Sequence, residues 1–247
     1  MRIALFADVH ANFEALTACL AHAERRGAER HVFLGDHVGY GADPERVLDT
    51  MMALVDRGAI AVLGNHDAAV GGELGRQMNA DAQTVIEWTR ARLGHAQREF
   101  LTRLPLVVEE DGRLYAHANA WAPGGWEYVS GTSEADRSLR ATGCRQTFFG
   151  HVHQPMLYHR TDAGGTLDFQ PVPGVPIPLA ATRRWLSLPG SVGQPRDGNP
   201  AACYALLDDA RGLLTYHRVP YDAEETARKV REAGLPEALA LRLEMGI

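Results

Sequence analysis

The sequence predicts an α/β fold: one domain over residues 1–247, with two sheets packed face to face and helices on the outer faces. Three observations lead there. Residues 2–63 alternate short apolar runs with amphipathic stretches in the order strand, helix, strand, helix, strand, which is the pattern of a parallel sheet joined by crossovers. Further along, short strand-like runs are separated by turn signals and call for more sheet. Finally, 45% of 247 residues are hydrophobic, enough for a substantial core without disulfides.

Arg2 to Ala7 reads as a buried strand whose apolar run stops at Asp8. Asn12 to Arg26 is helical, with Phe13, Leu16 and Leu20 on one face and Gly27 closing it. His31 to Leu34 is the second strand, ended by Gly35-Asp36. Asp43-Pro44-Glu45 opens a helix with a capping carboxylate, a proline at the first helical position and an acid in the first turn. Val47, Leu48, Met51, Met52 and Val55 give it an apolar face, and Gly58 ends it. Ile60 to Leu63 is the third strand, running into Gly64-Asn65-His66-Asp67.

Asn79 to Leu93 and Ala96 to Leu104 have helical spacing, the second stopped by Pro105. Leu106 to Glu110 and Arg113 to Ala116 flank Asp111-Gly112, a hairpin signal, and Thr147 to Phe149 is a brief strand. Pro171 to Pro178 holds four of the 13 prolines and is expected to be an extended loop. Ala201 to Leu207 and Gly212 to Val219 form a second hairpin, and Asp222 with Glu225 makes a capping box for a final helix.

Composition narrows the function. Lys plus Arg is 25 against 31 Asp plus Glu, a net charge of −6 with no long basic run, which argues against stable nucleic-acid binding. No basic amphipathic helix or long apolar span points to a membrane. Cys19, Cys144 and Cys203 are scattered and fit neither a disulfide framework nor a thiolate metal site. The apolar stretch after Met1 is too short for a signal peptide, so a cytoplasmic location is expected. Oligomeric state is left open.

Five polar motifs each lie just past a predicted strand: Asp8-Val9-His10, Gly35-Asp36, Gly64-Asn65-His66-Asp67, His117, and Gly150-His151-Val152-His153. In open α/β sheets, ligands gather beyond the carboxyl ends of strands. Two carboxylates, four imidazoles and a carboxamide oxygen suit borderline to hard divalent cations. A site rich in His and Asp without thiolates has catalytic rather than structural character.

The set resembles the calcineurin-like metallophosphoesterases. Two stretches, Gly35-Asp36-His37-Val38-Gly39-Tyr40-Gly41 and Gly190 to Gly198, are similar to those of a bacterial and archaeal subgroup of small phosphodiesterases. The resemblance implies a four-layer sandwich, two mixed β-sheets between helical layers. It implies two divalent ions, manganese first, with iron, zinc, nickel or cobalt as alternatives. Asp8, His10, Asp36 and His153 would hold one ion, and Asp36, Asn65, His117 and His151 the other. His66 would be the non-ligand histidine at the leaving group, oriented by Asp67.

The reaction expected is hydrolysis of a small phosphate ester, by in-line attack of water activated between the ions, with His66 protonating the departing oxygen. A diester is the expected substrate. A dinucleoside polyphosphate or a monoester would use the same site, and a non-catalytic scaffold would not need all eight residues. Other positions are open at this stage. His37 either packs or serves the site, Asn12 either caps a helix or orients the ligands, and Ser191 and Arg196 either touch phosphate or form a turn. Trp121, Trp126 and Tyr128 either wall the cleft or pack. His22, His31, His95, His159 and His217 have no motif context.

Overall fold

The computed structural model describes residues 1–72, 80–161 and 164–247. Its strands are β1 (Arg2–Phe6), β2 (Arg30–Phe33), β3 (Ile60–Ala61), β4 (Val107–Glu110), β5 (Arg113–Ala116), β6 (Gln146–Phe148), β7 (Pro155–Thr161), β8 (Thr166–Phe169), β9 (Ile177–Pro178), β10 (Arg183–Pro189), β11 (Ala202–Asp208) and β12 (Leu213–Val219). Helices are α1 (Phe13–Arg25), α2 (Pro44–Val55), α3 (Asn65–Gly71), α4 (Ala80–Arg92), α5 (His95–Arg103), α6 (Thr132–Ala141), α7 (Ala223–Glu232) and α8 (Glu237–Met245). Asn79, read as the start of the helix that runs to Leu93, lies outside the described residues.

Among the described residues there are two mixed sheets of six strands, ordered β3-β2-β1-β11-β12-β9 and β4-β5-β6-β10-β7-β8. The predicted run β1, β2, β3 is parallel, with Phe6 beside Phe33 and Phe33 beside Ala61. In the second sheet β5, β6 and β10 are parallel, and the remaining pairings there are antiparallel. Ile3, Leu5, Val32, Tyr115, Phe148, Trp185 and Leu207 share one buried cluster, so the inner faces of the two sheets meet there. Outside, α1 and α2 cover the first sheet through Leu16, Cys19, Val47 and Met51. On the far side α6 covers the second through Ala135 and Leu139.

Some local readings are revised. The proline stretch at 171–178 does not stay a loop throughout: Ile177–Pro178 is an edge strand paired with β12, where proline's missing N–H costs no ladder bond. Asp43 makes no side-chain cap on α2; its carboxylate takes Lys229 Nζ at 2.7 Å instead. Asp222 does cap α7, accepting Glu225 N–H at 2.9 Å, but the Glu225 carboxylate turns to Arg228 rather than closing the box. The final helix is two helices, α7 and α8, divided around Gly234 (φ 69°).

Candidate metal centre

The site assembles where five parallel strands end, three from the first sheet and two from the second. Asp8 and His10 follow β1, Asp36 follows β2, and Asn65 opens α3 after β3. From the second sheet, His117 follows β5, and His151 and His153 follow β6. All seven expected ligands therefore meet in one place, every one of them buried except the part-buried Asn65.

Five of the seven lie in the left-handed backbone region: Asp8 (φ 54°), His10 (47°), Asp36 (53°), His151 (69°) and His153 (63°). Such a conformation costs on the order of 1–3 kcal/mol per residue and persists only when the surroundings enforce it. The loops after β1 and β2 do so by continuing to pair: Asp8 N–H donates to Gly35 O, His10 N–H to Asp36 O and Ala11 N–H to His37 O, at 2.9–3.1 Å. Ser191 Oγ and Gly193 N–H both donate to Asp8 O, each at 2.9 Å. The turned backbone throws side chains two apart toward one centre.

Each imidazole is fixed by its other nitrogen. His10, His117 and His153 donate from Nδ1 to the carbonyls of Val38 (3.1 Å), Leu34 (2.8 Å) and Gln194 (2.6 Å), turning Nε2 inward. His151 is reversed, with Nε2 on Trp126 O at 3.0 Å and Nδ1 inward. The inward atoms form two groups, each within 4.8 Å: Asp8, His10, Asp36 and His153, and then Asp36, His117 and His151. Asn65 Oδ1 joins the second, 3.1 Å from His117 Nε2. Asp36 Oδ2 stands between them, 3.7 Å from His10 Nε2 and 3.3 Å from His117 Nε2.

The donor set fits cations. His10 Nε2 and His153 Nε2 face each other at 3.1 Å, and each ring's own N–H is already given to a carbonyl. Two lone pairs thus converge, and burial holds both rings well below the usual histidine pKa, so no proton settles the conflict. A divalent ion between them would. Burial pushes Asp8 up to about 7, partly offset by His117. Burial also opposes the charge on Asp36, but His117, His66 and His10 overcome it and hold that carboxyl well below the usual range. His117 is lowered by burial but raised more by Asp36, reaching about 9, so in its pair a proton fills the cation's place. His151, its partner at 3.0 Å, is pulled to about 3 by burial and then by His117.

Gly64 shows how tightly Asp36 is held. A Cβ there would lie 2.1 Å from Asp36 N and 2.2 Å from Asp36 Oδ1. The residue's own backbone (φ −100°, ψ 170°) would accept alanine, so the obstacle is purely steric. Gly64→Ala is expected to displace Asp36, cost roughly 1–3 kcal/mol or more of stability, and lower metal occupancy together with it. Thermal melts and elemental analysis check this; a variant with wild-type metal content would show that Asp36 need not sit where it does.

The remaining candidates separate. His66 is buried, edge-on to His10 with centroids 5.0 Å apart and 4.5 Å from the Tyr40 ring. The Asp67 carboxylate is engaged with backbone. Its Oδ1 accepts His37 and Val38 N–H at 2.8 and 3.2 Å, and its Oδ2 accepts Gly64 N–H at 2.9 Å. Among the described residues no hydrogen bond joins it to the His66 imidazole, so any orientation it gives passes through the loop backbone. His37 packs behind the site, with Nε2 on Val62 O at 3.0 Å. Asn12 is a cap: Oδ1 takes Ala15 N–H at 3.0 Å while Nδ2 ties Gly193 O at 2.9 Å. Ser191 is buried structure.

Trp126 and Tyr128 do reach the cleft. The Trp126 ring is 6.0 Å from His117, and Tyr128, 51% exposed, stacks on His151 at 4.0 Å. Asn119 staples their loop, donating to Glu127 O and accepting Ala122 N–H, both at 2.8 Å. The carbonyls of Leu34, Val38, Trp126 and Gln194 are the functional groups that residue-type reasoning misses, because a backbone oxygen leaves no mark in the side-chain code.

Known proteins resemble this chain over most or all of its length. The profile of the calcineurin-like phosphoesterase superfamily domain matches residues 1–212. An uncharacterised protein of Methanocaldococcus jannaschii is 34% identical over 249 aligned positions, covering 99% of this chain and 98% of the relative. A metallophosphoesterase from Sphaerobacter thermophilus, known as a crystal structure, is 34% identical with a TM-score of 0.88, over 100% of this chain and 99% of the other. A hypothetical protein from Pyrococcus horikoshii shares the fold at 21% identity and a TM-score of 0.80, over 100% and 98% of the two chains.

Proposed function

Since the chain belongs to the calcineurin-like phosphoesterase superfamily, and is thus a metal-dependent phosphoric ester hydrolase, we propose that it cleaves phosphodiesters at a two-metal site with His66 as proton donor. The observation that carries the reading is Asp36 Oδ2, placed between His10 Nε2 and His117 Nε2 where the two ligand groups join. Asp8, His10 and His153 complete one half with it, and Asn65, His117 and His151 the other. Two divalent ions held there, manganese foremost, would supply Lewis acidity toward phosphoryl oxygens and lower the pKa of water.

The chain's own groups do the rest. The carbonyl-anchored imidazoles keep their lone pairs aimed inward, so little reorganisation accompanies the reaction. His66 is set for the leaving oxygen. Its Nδ1 is buried without a hydrogen-bond partner among the described residues, and a Cβ on Gly39 would come within 2.5 Å of it. Nε2 is therefore the nitrogen left to face a substrate. Asp67 supports it indirectly: by gathering three backbone N–H groups it fixes the first turn of α3, on which His66 rides.

Chelation is expected to abolish hydrolysis, and manganese, nickel or zinc to restore it to different extents. On a panel of diesters, monoesters, cyclic nucleotides and dinucleoside polyphosphates, diesters are expected to give the highest kcat/KM. A wide margin for monoesters would overturn the diester assignment. Absence of bound transition metal after reconstitution would overturn the two-metal site.

A further inference from the structure

Arg196 carries a charge that no neighbour among the described residues cancels. It follows β10 on the loop that also supplies Gln194, and it is half-buried. Its Nε and Nη2 donate to Gln194 Oε1 at 3.2 and 2.8 Å, a neutral acceptor that orients the guanidinium without neutralising it. Among the described residues no carboxylate pairs with it. The adjacent Asp197 is committed to Arg218.

The fork is built onto the site. Gln194 is 1% exposed, and its main-chain oxygen is the one that accepts His153 Nδ1 at 2.6 Å. Arg196 N–H donates to His153 O at 3.3 Å, so the segment 194–196 wraps a predicted ligand. The guanidinium carbon is 5.7 Å from the Tyr40 ring, which itself packs 4.5 Å from His66 and 4.6 Å from His10. Its charge reaches Asp8, His10, His66 and His153 alike. Gln194 takes Nε and Nη2, the phenols of Tyr40 and Tyr128 also come up to the guanidinium, and its charge stays without a carboxylate partner among the described residues. Gln194 Nε2 beside it is a second buried donor without a partner among the described residues.

We propose that Arg196, held by Gln194, binds a non-bridging oxygen of the substrate phosphate at the rim of the cleft. The inference rests on the phosphoesterase reading and adds a binding residue to it. It calls for a substrate whose phosphate projects an anionic oxygen outward past Tyr40, as both mono- and diesters do.

The test uses the metal-reconstituted full chain, wild type beside Arg196→Gln and Arg196→Lys. Inorganic phosphate affinity by calorimetry, KM and kcat on a diester, metal content and melting temperature are measured together. Arg196→Gln is expected to weaken phosphate binding and raise KM by about 10- to 100-fold, the effect of losing a charged hydrogen bond, with metal content and melting temperature unchanged. Arg196→Lys should recover part of the loss, since the charge returns without the fork. Equal phosphate affinity in wild type and Arg196→Gln would overturn the inference while leaving a turning-over wild type, and so the phosphoesterase reading, intact. A loss that tracks falling metal content would overturn it in favour of a structural role. A wild type that neither binds phosphate nor turns over would overturn both.

Discussion

Asp36→Asn is expected to abolish turnover, a loss on the order of 10⁴-fold or more, because it removes the one carboxylate common to both ligand groups. The fold should survive. In the metal-free protein an asparagine oxygen can still accept His66 N–H, which Asp36 Oδ1 accepts at 2.9 Å. The amide nitrogen would then stand where Oδ2 does, between His10 Nε2 and His117 Nε2, as a donor to either ring. The metal-free variant is therefore expected to melt near the metal-free wild type, whereas metal should stabilise only the wild type. Asn65→Ala makes the control, since its oxygen meets only the His117 side. It should weaken one ion and spare the other. Elemental analysis and metal-titrated melts decide: two ions retained by Asp36→Asn would falsify the shared-ligand assignment.

His66→Ala is the second large effect and has a different signature. Metals should stay, because the imidazole donates to neither ligand group. Turnover of an alkyl diester should fall roughly 10²–10⁴-fold, the usual worth of general-acid help. An alkoxide is strongly basic and needs a proton as it departs, while p-nitrophenolate leaves unaided near neutral pH. The loss on a nitrophenyl diester should accordingly be much smaller. Equal losses on both substrates, with metal content intact, would remove the proton-donor role and leave His66 as a phosphate contact. Falling metal content would make it a ligand.

Much of this site was legible because its ligands interrupt apolar runs. Asp8, Asp36 and His117 each stand where a buried strand meets a polar residue, and the parallel order of β1 to β3 follows from the alternation before them. Other strands escaped that logic. Trp185 to Pro189 of β10 are all buried, so no in-out alternation marks the strand. β8 is short, and three of its four residues are exposed, which reads as loop. The part played by Asp67 came from the resemblance alone, and residue types gave no sign that three backbone N–H groups would take its carboxylate. Gln194 lies in the stretch from Gly190 to Gly198, but its two tasks depend on a main-chain oxygen and on the turn of one loop.

The joining of ligands from both sheets has a kinetic meaning. His10 meets His153, and Asp8 meets His151 N–H, each across 143 residues of chain, while Asn65 meets His117 across 52. Contacts of such separation form only after long loops have closed, and a topology dominated by them folds slowly. The left-handed turns at Asp8, His10 and Asp36 are tied to one another across the loops after β1 and β2, so they become favourable once β1 and β2 are side by side. Ions bound at this junction would bridge parts of the chain that meet late. They would then be expected to slow the rate at which the chain comes apart more than they change the rate at which it comes together.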